Sequence, residues 1–146
     1  MIKLKNKKLS LINKKKQLGE IVARNREVEA LFLFGSFAQK ESTPLSDIDL
    51  AFLPSGKISK AESTKLDNKL YIKLAQSLST DDITLVNLNE APLTLAYNII
   101  RHKPLFCRDE ATLAKYKEKI LSLYPEVKRM QDNLSAAYLE NLKAKL

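Results

Sequence analysis

At 146 residues, with 45% hydrophobic and 29% charged side chains, the chain has the length and composition of one ordinary globular domain. It contains no apolar run near the roughly 20 residues that a membrane-spanning helix needs. The single cysteine, Cys107, excludes an internal disulfide and a cysteine-based zinc cluster. The Lys-rich N-terminal region has no apolar segment behind it of the kind found in secretion signals. We therefore expect a cytoplasmic protein without membrane association.

The net charge of +8 is concentrated in residues 1–26, which carry nine Lys or Arg against one Glu. The rest of the chain is balanced, with 16 basic and 16 acidic side chains. We predict that residues 1–26 form a basic arm and an amphipathic helix. The apolar positions with helical spacing are Leu11, Leu18, Ile21 and Val22. Two interpretations of the arm stay open: a surface that attracts nucleic acid or an acidic partner, and a solvated end that aids solubility.

Two apolar segments predict the first strands. Residues 30–34 are continuously apolar and end at Gly35, which is typical of a strand covered on both faces. The polar segment 39–46 contains Pro44 and predicts a loop. Residues 47–53 predict the next strand, which stops at a Pro-Ser-Gly sequence.

The second half of the chain alternates predicted helices with short strands. Ser59 is the expected N-cap of the first of these helices, and Pro125 is expected to separate the last two. This order predicts an α+β (α/β-like) domain, a small mixed β-sheet flanked by helices with a helical C-terminal tail. The expected elements are a helix over 59–78, a strand over 82–88, a helix from near Pro92 to about His102, an edge strand over 104–109, and helices over 110–123 and 125–145.

Asp47 and Asp49 lie two residues apart in a predicted strand, so they point to the same face. Buried side by side they would lose hydration and repel each other, unless a cation lies between them. Mg²⁺ meets that need, because it is typically held by one or two carboxylates plus substrate phosphates. Upstream, Gly35 permits close backbone approach, and Ser36 can begin a helix whose free N–H groups bind phosphate. The pattern predicts a nucleoside triphosphate–Mg²⁺ site; the alternative is an exposed strand entrance.

The segment GSFAQKESTPLSDIDLAFL resembles the signature of the DNA polymerase β nucleotidyltransferase superfamily, in which Gly-Ser is followed after ten residues by Asp-x-Asp. The run ITLVNLNEAPLTLAYNIIRHKPLFCRD is similar to the minimal nucleotidyltransferases (MNT) that are paired with HEPN-domain ribonuclease toxins. The resemblance covers roughly residues 25–110. It implies a polymerase β-like core over 27–110 and C-terminal helices over 111–146 that pack on the core or on a partner.

The resemblance also implies an activity, namely transfer of AMP from ATP to a tyrosine of a HEPN toxin, which the chain would silence as its antitoxin. Asp47 and Asp49 would bind Mg²⁺ and serve catalysis, and Ser36 with the Gly35 backbone would bind the phosphates. Most of the rate enhancement would come from positioning and electrostatics. The implied partners are the toxin and ATP, and a homo- or hetero-oligomer is compatible with them.

The chain departs from the family pattern at two places. Relatives often carry a basic residue and then glycine where this chain has Gln39 and Lys40, so the role of Lys40 in nucleotide binding depends on a shift of one residue. The third carboxylate of the family is replaced by Thr84. Asp82, two residues earlier on the same strand face, is the remaining candidate base, and metal-bound solvent is the other.

These departures leave two other functions open. One is an antitoxin with weakened catalysis that neutralises its partner by binding alone. The other is a nucleotidyltransferase acting on a small molecule such as an aminoglycoside, which is disfavoured because about 35 residues after the core leave little room for a substrate pocket.

A few further residues carry weaker expectations. His102, the single histidine, is expected to be a cation at a helix C-terminus, and no HEPN-type Arg–His motif surrounds it. Cys107 is expected to be an inert buried thiol. The tail tyrosines, which we expect to pack or to form an oligomer interface, are Tyr116, Tyr124 and Tyr138.

Overall fold

The computed structural model describes residues 14–35 and 47–144, and these form one four-stranded sheet with helices on both faces. In chain order the elements are α1 (helical over 14–23), β1 (Val28–Phe34), β2 (Ile48–Pro54), α2 (Lys60–Leu78), β3 (Ile83–Asn87), α3 (Leu93–Ile100), β4 (Phe106–Cys107) and α4 (Glu110–Ala144). The sheet order is β3-β2-β1-β4, with β1 antiparallel to β2 and β4, and β2 parallel to β3. The predicted small mixed sheet flanked by helices is confirmed.

The two central strands are buried on both faces, which explains their continuous apolar sequences. Leu50 and Phe52 of β2 belong to a core cluster with residues of α1 and α2. Ala51 and Leu53 belong to a second cluster with residues of α3 and α4. Because side chains alternate along a strand, Asp49 lies on the same face as Ala51. The α3/α4 face is therefore the face on which the Asp49 carboxylate lies.

Helix α2 connects two parallel strands, and its sequence defines both of its ends. Ser59 is the N-cap, as predicted, and its side chain accepts a hydrogen bond from the Glu62 N–H at 3.2 Å. Ser79 ends the helix in the left-handed conformation with φ 55°. The crossover from β2 through α2 to β3 makes both strands begin at the same edge of the sheet. The side chains that α2 buries are Ser63, Leu66, Leu70, Leu74 and Leu78.

Helix α4 continues through Pro125, so the predicted break there is wrong. Proline has no N–H to donate to the carbonyl of Leu121, four residues earlier, but both residues are exposed and water can satisfy that carbonyl. Just before the proline, the ring of Tyr124 stacks on Tyr97 of α3, with ring centroids 3.7 Å apart. Tertiary packing therefore anchors α4 at the point where local propensity opposes a helix.

Several predictions fall on residues that the structure does not describe. The N-terminal helix is seen over 14–23, where Leu18 and Val22 are fully buried. The division into arm, core and tail stays a prediction. None of the helices in the described ranges combines the length and hydropathy that a bilayer crossing requires. The predictions outside the described residues concern the arm over 1–13, Leu11, Ser36, Gln39, Lys40, the loop over 39–46 and the side chain of Tyr138.

Candidate functional site

Four segments of the chain meet at one edge of the sheet: the end of β1, the beginnings of β2 and β3, and the connection into β4. Across the antiparallel pair, Phe34 lies opposite Asp49. Across the parallel pair, Asp49 lies opposite Thr84. Strand β4 runs antiparallel to β1, so the residues that precede it, including His102, return to the edge where β1 ends. Among the described residues, this edge collects the carboxylates, Thr84 and His102 that the sequence singled out, and we call it the site edge.

Gly35 directly follows β1 at the site edge, in a conformation and a space that only glycine tolerates. Its φ is +73°, in the left-handed region that L side chains rarely adopt. A Cβ at this position would overlap a carboxylate oxygen of Asp49 and lie 2.9 Å from its Cγ. The sequence predicted that another group lies close to the Gly35 backbone. In the structure, the Asp49 side chain occupies part of that space.

The two carboxylates differ in exposure. Asp47 is exposed and directly precedes β2, one residue short of the predicted strand start, whereas Asp49 is half-buried within β2. Burial raises the pKa of Asp49, the neighbouring Asp47 raises it further, and the Thr84 hydroxyl opposes the rise. That hydroxyl also donates to Oδ2 of Asp47 at 3.3 Å. A single neutral donor therefore serves two like-charged groups, which leaves most of their repulsion uncompensated.

This donor set fits Mg²⁺. Asp47 and Asp49 offer hard carboxylate oxygens, and Mg²⁺ is commonly held by one or two carboxylates with water and phosphate oxygens completing its shell. Among the described residues, no group of three or more His, Cys, Asp and Glu side chains is arranged to hold a metal ion. The pair therefore suits an ion that arrives with a phosphate-bearing substrate better than one caged by protein alone.

Thr84 and Asp82 lie at the start of β3, where the third carboxylate of the family pattern was expected. Thr84 stands opposite Asp49 in the ladder, so its hydroxyl occupies the position that faces the carboxylate pair. Asp82 lies one residue before β3, and its carbonyl accepts the Ile48 N–H at 2.9 Å. Its N–H donates to the Thr80 hydroxyl at 3.0 Å. Asp82 is thus fixed at the site edge, and its role as the base stays a prediction.

A cavity of about 510 Å³ opens beside Gly35. His102 lies on its wall, so the residue that we predicted as a helix-terminal cation faces the candidate site. Arg101 lines the same cavity and was not singled out by the sequence. The signal that would have identified Arg101 is topological. Because β4 runs antiparallel to β1, the end of the helix that precedes β4 lies near the end of β1, at the site edge. The described lining residues are Phe34, Gly35, Leu95, Asn98, Arg101 and His102.

The tyrosines predicted to pack do so where the structure describes them. The Tyr116 hydroxyl donates to the Leu88 carbonyl at 3.3 Å, and burial raises the pKa of Tyr116 to about 12. Tyr124 stacks on Tyr97 and ties α4 to α3. Both side chains therefore hold the long C-terminal helix against the core.

Cys107 is only partly buried, which corrects the expectation of a buried thiol. Cys107 belongs to the short strand β4, which pairs with β1 over only two residues. Its side chain therefore stays partly exposed. Partial burial and the nearby Glu110 raise the pKa of the thiol, so it is kept in its less reactive protonated form.

The sequence that contains this edge identifies the family of the chain. The family model for "Polymerase beta, Nucleotidyltransferase" matches residues 16–111, well over half of the 146 residues. The chain belongs to this nucleotidyltransferase family. The matched region runs from α1 to the start of α4 and includes every residue of the site edge. No match was found among proteins of curated function.

Solved structures show the same fold. A chain of a toxin–antitoxin complex with AMP-PNP is 23% identical to this nucleotidyltransferase, covering 87% of this chain and 98% of that chain with a TM-score of 0.67. A chain of the MntA–HepT toxin–antitoxin complex is 20% identical, covering 86% and 97% with a TM-score of 0.64. A third match comes from a tri-AMPylated Shewanella oneidensis HEPN toxin in complex with an MNT antitoxin, at 19% identity, 86% and 98% coverage and a TM-score of 0.61.

Proposed function

We propose that this chain is a nucleotidyltransferase that uses ATP and Mg²⁺ to transfer AMP to a tyrosine of a cognate HEPN toxin, and so acts as its antitoxin. The main supporting observation is the packing of Asp49 against the Gly35 backbone beside a second carboxylate, in a chain of the nucleotidyltransferase family. This packing keeps two carboxylates together next to Gly35, an arrangement that would become favourable once a metal–phosphate group binds. The matches to toxin–antitoxin complexes support the partner class.

The proposed reaction is a displacement at the α-phosphorus of ATP. A bond forms between the tyrosine oxygen and that phosphorus, the bond to the bridging oxygen of the pyrophosphate breaks, and the phenolic proton leaves. Asp47 and Asp49 would hold Mg²⁺, which would supply positive charge for the phosphate oxygens. Gly35 lets the backbone after β1 lie in contact with Asp49, and Thr84 orients Asp47. We assign acceptance of the phenolic proton to Asp82.

One observation favours a second candidate, an antitoxin that neutralises its partner by binding alone. Thr84 stands opposite Asp49, and a threonine hydroxyl is a poor base. If Asp82 does not accept the proton, transfer would be slow and masking of the toxin would dominate. The two candidates differ in whether the toxin is chemically modified, which is the property to measure.

The test is mass spectrometry of the toxin after co-expression with this chain. We expect the wild type to add one or more AMP units to a toxin tyrosine, and the double variant Asp47→Asn with Asp49→Asn to add none. Asp67→Asn is the matched control, because it removes another partly buried aspartate away from the site edge and should leave the modification intact. An unmodified toxin after co-expression with the wild type would reject the enzyme, and full neutralisation by the double variant would support binding alone.

The same assay tests Asp82. Asp82→Asn should retain Mg²⁺-dependent nucleotide binding and lower the rate of transfer by about 10²- to 10⁴-fold, the usual contribution of a general base. An unchanged rate would assign proton removal to solvent instead.

A further inference from the structure

The cavity beside Gly35 has one permanent charge among its described lining residues, and that charge is on Arg101. The groups that approach Gly35 from the sheet and from the end of α3 are electronegative. Asp49 approaches Gly35 from the sheet, and α3 presents its C-terminal end to this edge, where helix carbonyls carry partial negative charge. A phosphate chain bound here would need positive charge from the cavity side, and Arg101 is the described lining residue that supplies it permanently.

Arg101 is held by a stack of rings, which we call the Tyr124–Tyr97–Arg101 stack. The rings of Tyr97 and Tyr124 lie 3.7 Å apart at an angle of 8°. The guanidinium carbon of Arg101 lies 5.8 Å from the centre of the Tyr97 ring, within cation–π range. Arg101 follows Tyr97 by four residues, so both project from the same side of α3. The stack therefore restrains an otherwise exposed, flexible side chain at the cavity wall.

We propose that Arg101 binds the β- and γ-phosphates of the nucleoside triphosphate, the part that leaves as pyrophosphate, and that Tyr97 and Tyr124 position it for this. This inference rests on the proposed function. Guanidinium suits the role because its planar donors pair with two phosphate oxygens at once and it never loses its charge. Tyr97 and Tyr124 are positioning residues, since they act on the nucleotide only through Arg101.

Calorimetric binding in the presence of Mg²⁺ tests this assignment with two probes, a non-hydrolysable ATP analogue and AMP. We expect Arg101→Ala to weaken binding of the ATP analogue by about 10- to 100-fold, the range for hydrogen bonds between charged groups. AMP lacks the β- and γ-phosphates, so its affinity should change by less than about threefold. Lys103→Ala, which removes an exposed positive charge two residues away, is the matched control and should bind both probes as the wild type does.

Two Tyr97 variants test the positioning role. Tyr97→Phe keeps the aromatic face and should bind the ATP analogue normally. Tyr97→Leu removes that face and should weaken binding of the analogue, by less than Arg101→Ala does. In the double variant Tyr97→Leu with Arg101→Ala, the loss should equal that of Arg101→Ala alone, because the tyrosine acts through the arginine. Equal losses for the analogue and AMP in Tyr97→Leu would show a merely structural stack and overturn the positioning role.

The inference is overturned if Arg101→Ala binds the ATP analogue as tightly as the wild type, or if it loses affinity for AMP to the same extent. Failure of the proposed function gives a different result. A wild type that binds the analogue through Arg101 but adds no AMP to any toxin would reject the transferase and leave the phosphate assignment standing. A wild type that binds neither probe would reject both.

Discussion

Asp49 and Asp67 both have a pKa above the ordinary value for aspartate, and the causes have the same order in both: burial first, then a neighbouring carboxylate. The neighbour is Asp47 in one case and Glu90 in the other. Their surroundings differ. The backbone at Gly35 is shaped around the Asp49 carboxylate, in a conformation that costs energy for any other residue. Asp67 lies on a regular helix, α2, where no such backbone adjustment accompanies it.

The burial of Asp67 follows from its helix. Its neighbours Leu66 and Leu70 are packed into the core, so the carboxyl group between them loses part of its solvent as a by-product. The burial of Asp49 instead depends on a glycine with positive φ, whose missing Cβ leaves space for the carboxylate. A raised pKa alone therefore does not identify a functional site, because Asp67 has one too. The feature that distinguishes Asp49 is the backbone conformation at Gly35, which leaves space for its carboxylate.

Gly35→Ala should have the largest effect on the difference between Asp49 and Asp67. The new Cβ would force the Asp49 carboxylate aside, and the left-handed conformation alone costs roughly 1–2 kcal/mol for a residue with a side chain. We expect a lower free energy of unfolding in urea and loss of Mg²⁺-dependent ATP binding by calorimetry. Gly56→Ala is the matched control, because nothing lies within 4 Å of the position that its Cβ would take.

A double variant separates the two effects of this substitution. Gly35→Ala with Asp49→Ala removes the overlapping carboxylate, so part of the lost stability should return while ATP binding stays absent. Normal ATP binding by Gly35→Ala would show that Asp49 does not need the space that Gly35 leaves.

Most of the fold was predictable because burial imposes periodicity on the sequence. The alternation of Leu50, Ala51, Phe52 and Leu53 between two core clusters is visible as an unbroken apolar run. The break at Pro125 was predicted wrongly because it depends on local propensity alone, whereas a ring stack between α3 and α4 forms next to it. Long-range packing of that kind leaves no local pattern.

The candidate site divides in the same way. Gly35, Asp47 and Asp49 belong to one local motif, so their meeting at one edge was predictable from strand geometry. Arg101 reaches the cavity only because α3 runs back across the sheet before β4 pairs with β1. That path is set by tertiary contacts, and no spacing in the sequence reports it.

Ligand-induced stabilisation should distinguish the two aspartates. A ligand that binds only the folded state raises the free energy of unfolding by about 2.7 kcal/mol at 100 times its Kd. Mg²⁺ with a non-hydrolysable ATP analogue should therefore raise the melting temperature of the wild type and of Asp67→Asn, but not of Asp49→Asn. Without ligand, Asp49→Asn should melt above the wild type, since it removes a buried like charge. Equal ligand-induced shifts in the melting temperature of all three proteins would show that Asp49 is not part of the metal site.

The smallest expected effect concerns Glu90, the neighbour of Asp67. Because the pKa of Asp67 is raised in the folded state, its folded carboxyl group favours the protonated form, and stability is lost as pH rises from the unfolded value of 3.8 through the raised value. Glu90→Gln removes the second cause of that rise, so less stability is lost. The variant should match the wild type near pH 4 and exceed it by a few tenths of a kcal/mol near pH 7 in low salt, because solvent screens the pair.

Urea unfolding at the two pH values measures this difference, with Glu118→Gln on the opposite face of the sheet as the control for removing an exposed carboxylate. Adding Mg²⁺ should leave the advantage of Glu90→Gln unchanged, since solvent already surrounds Glu90, and should erase the advantage of Asp49→Asn by stabilising the wild-type pair. A Mg²⁺ response at Asp67 and Glu90 as large as that at Asp47 and Asp49 would mean that two like charges suffice to attract the ion. The space that Gly35 provides for Asp49 would then have no part in selecting the metal site.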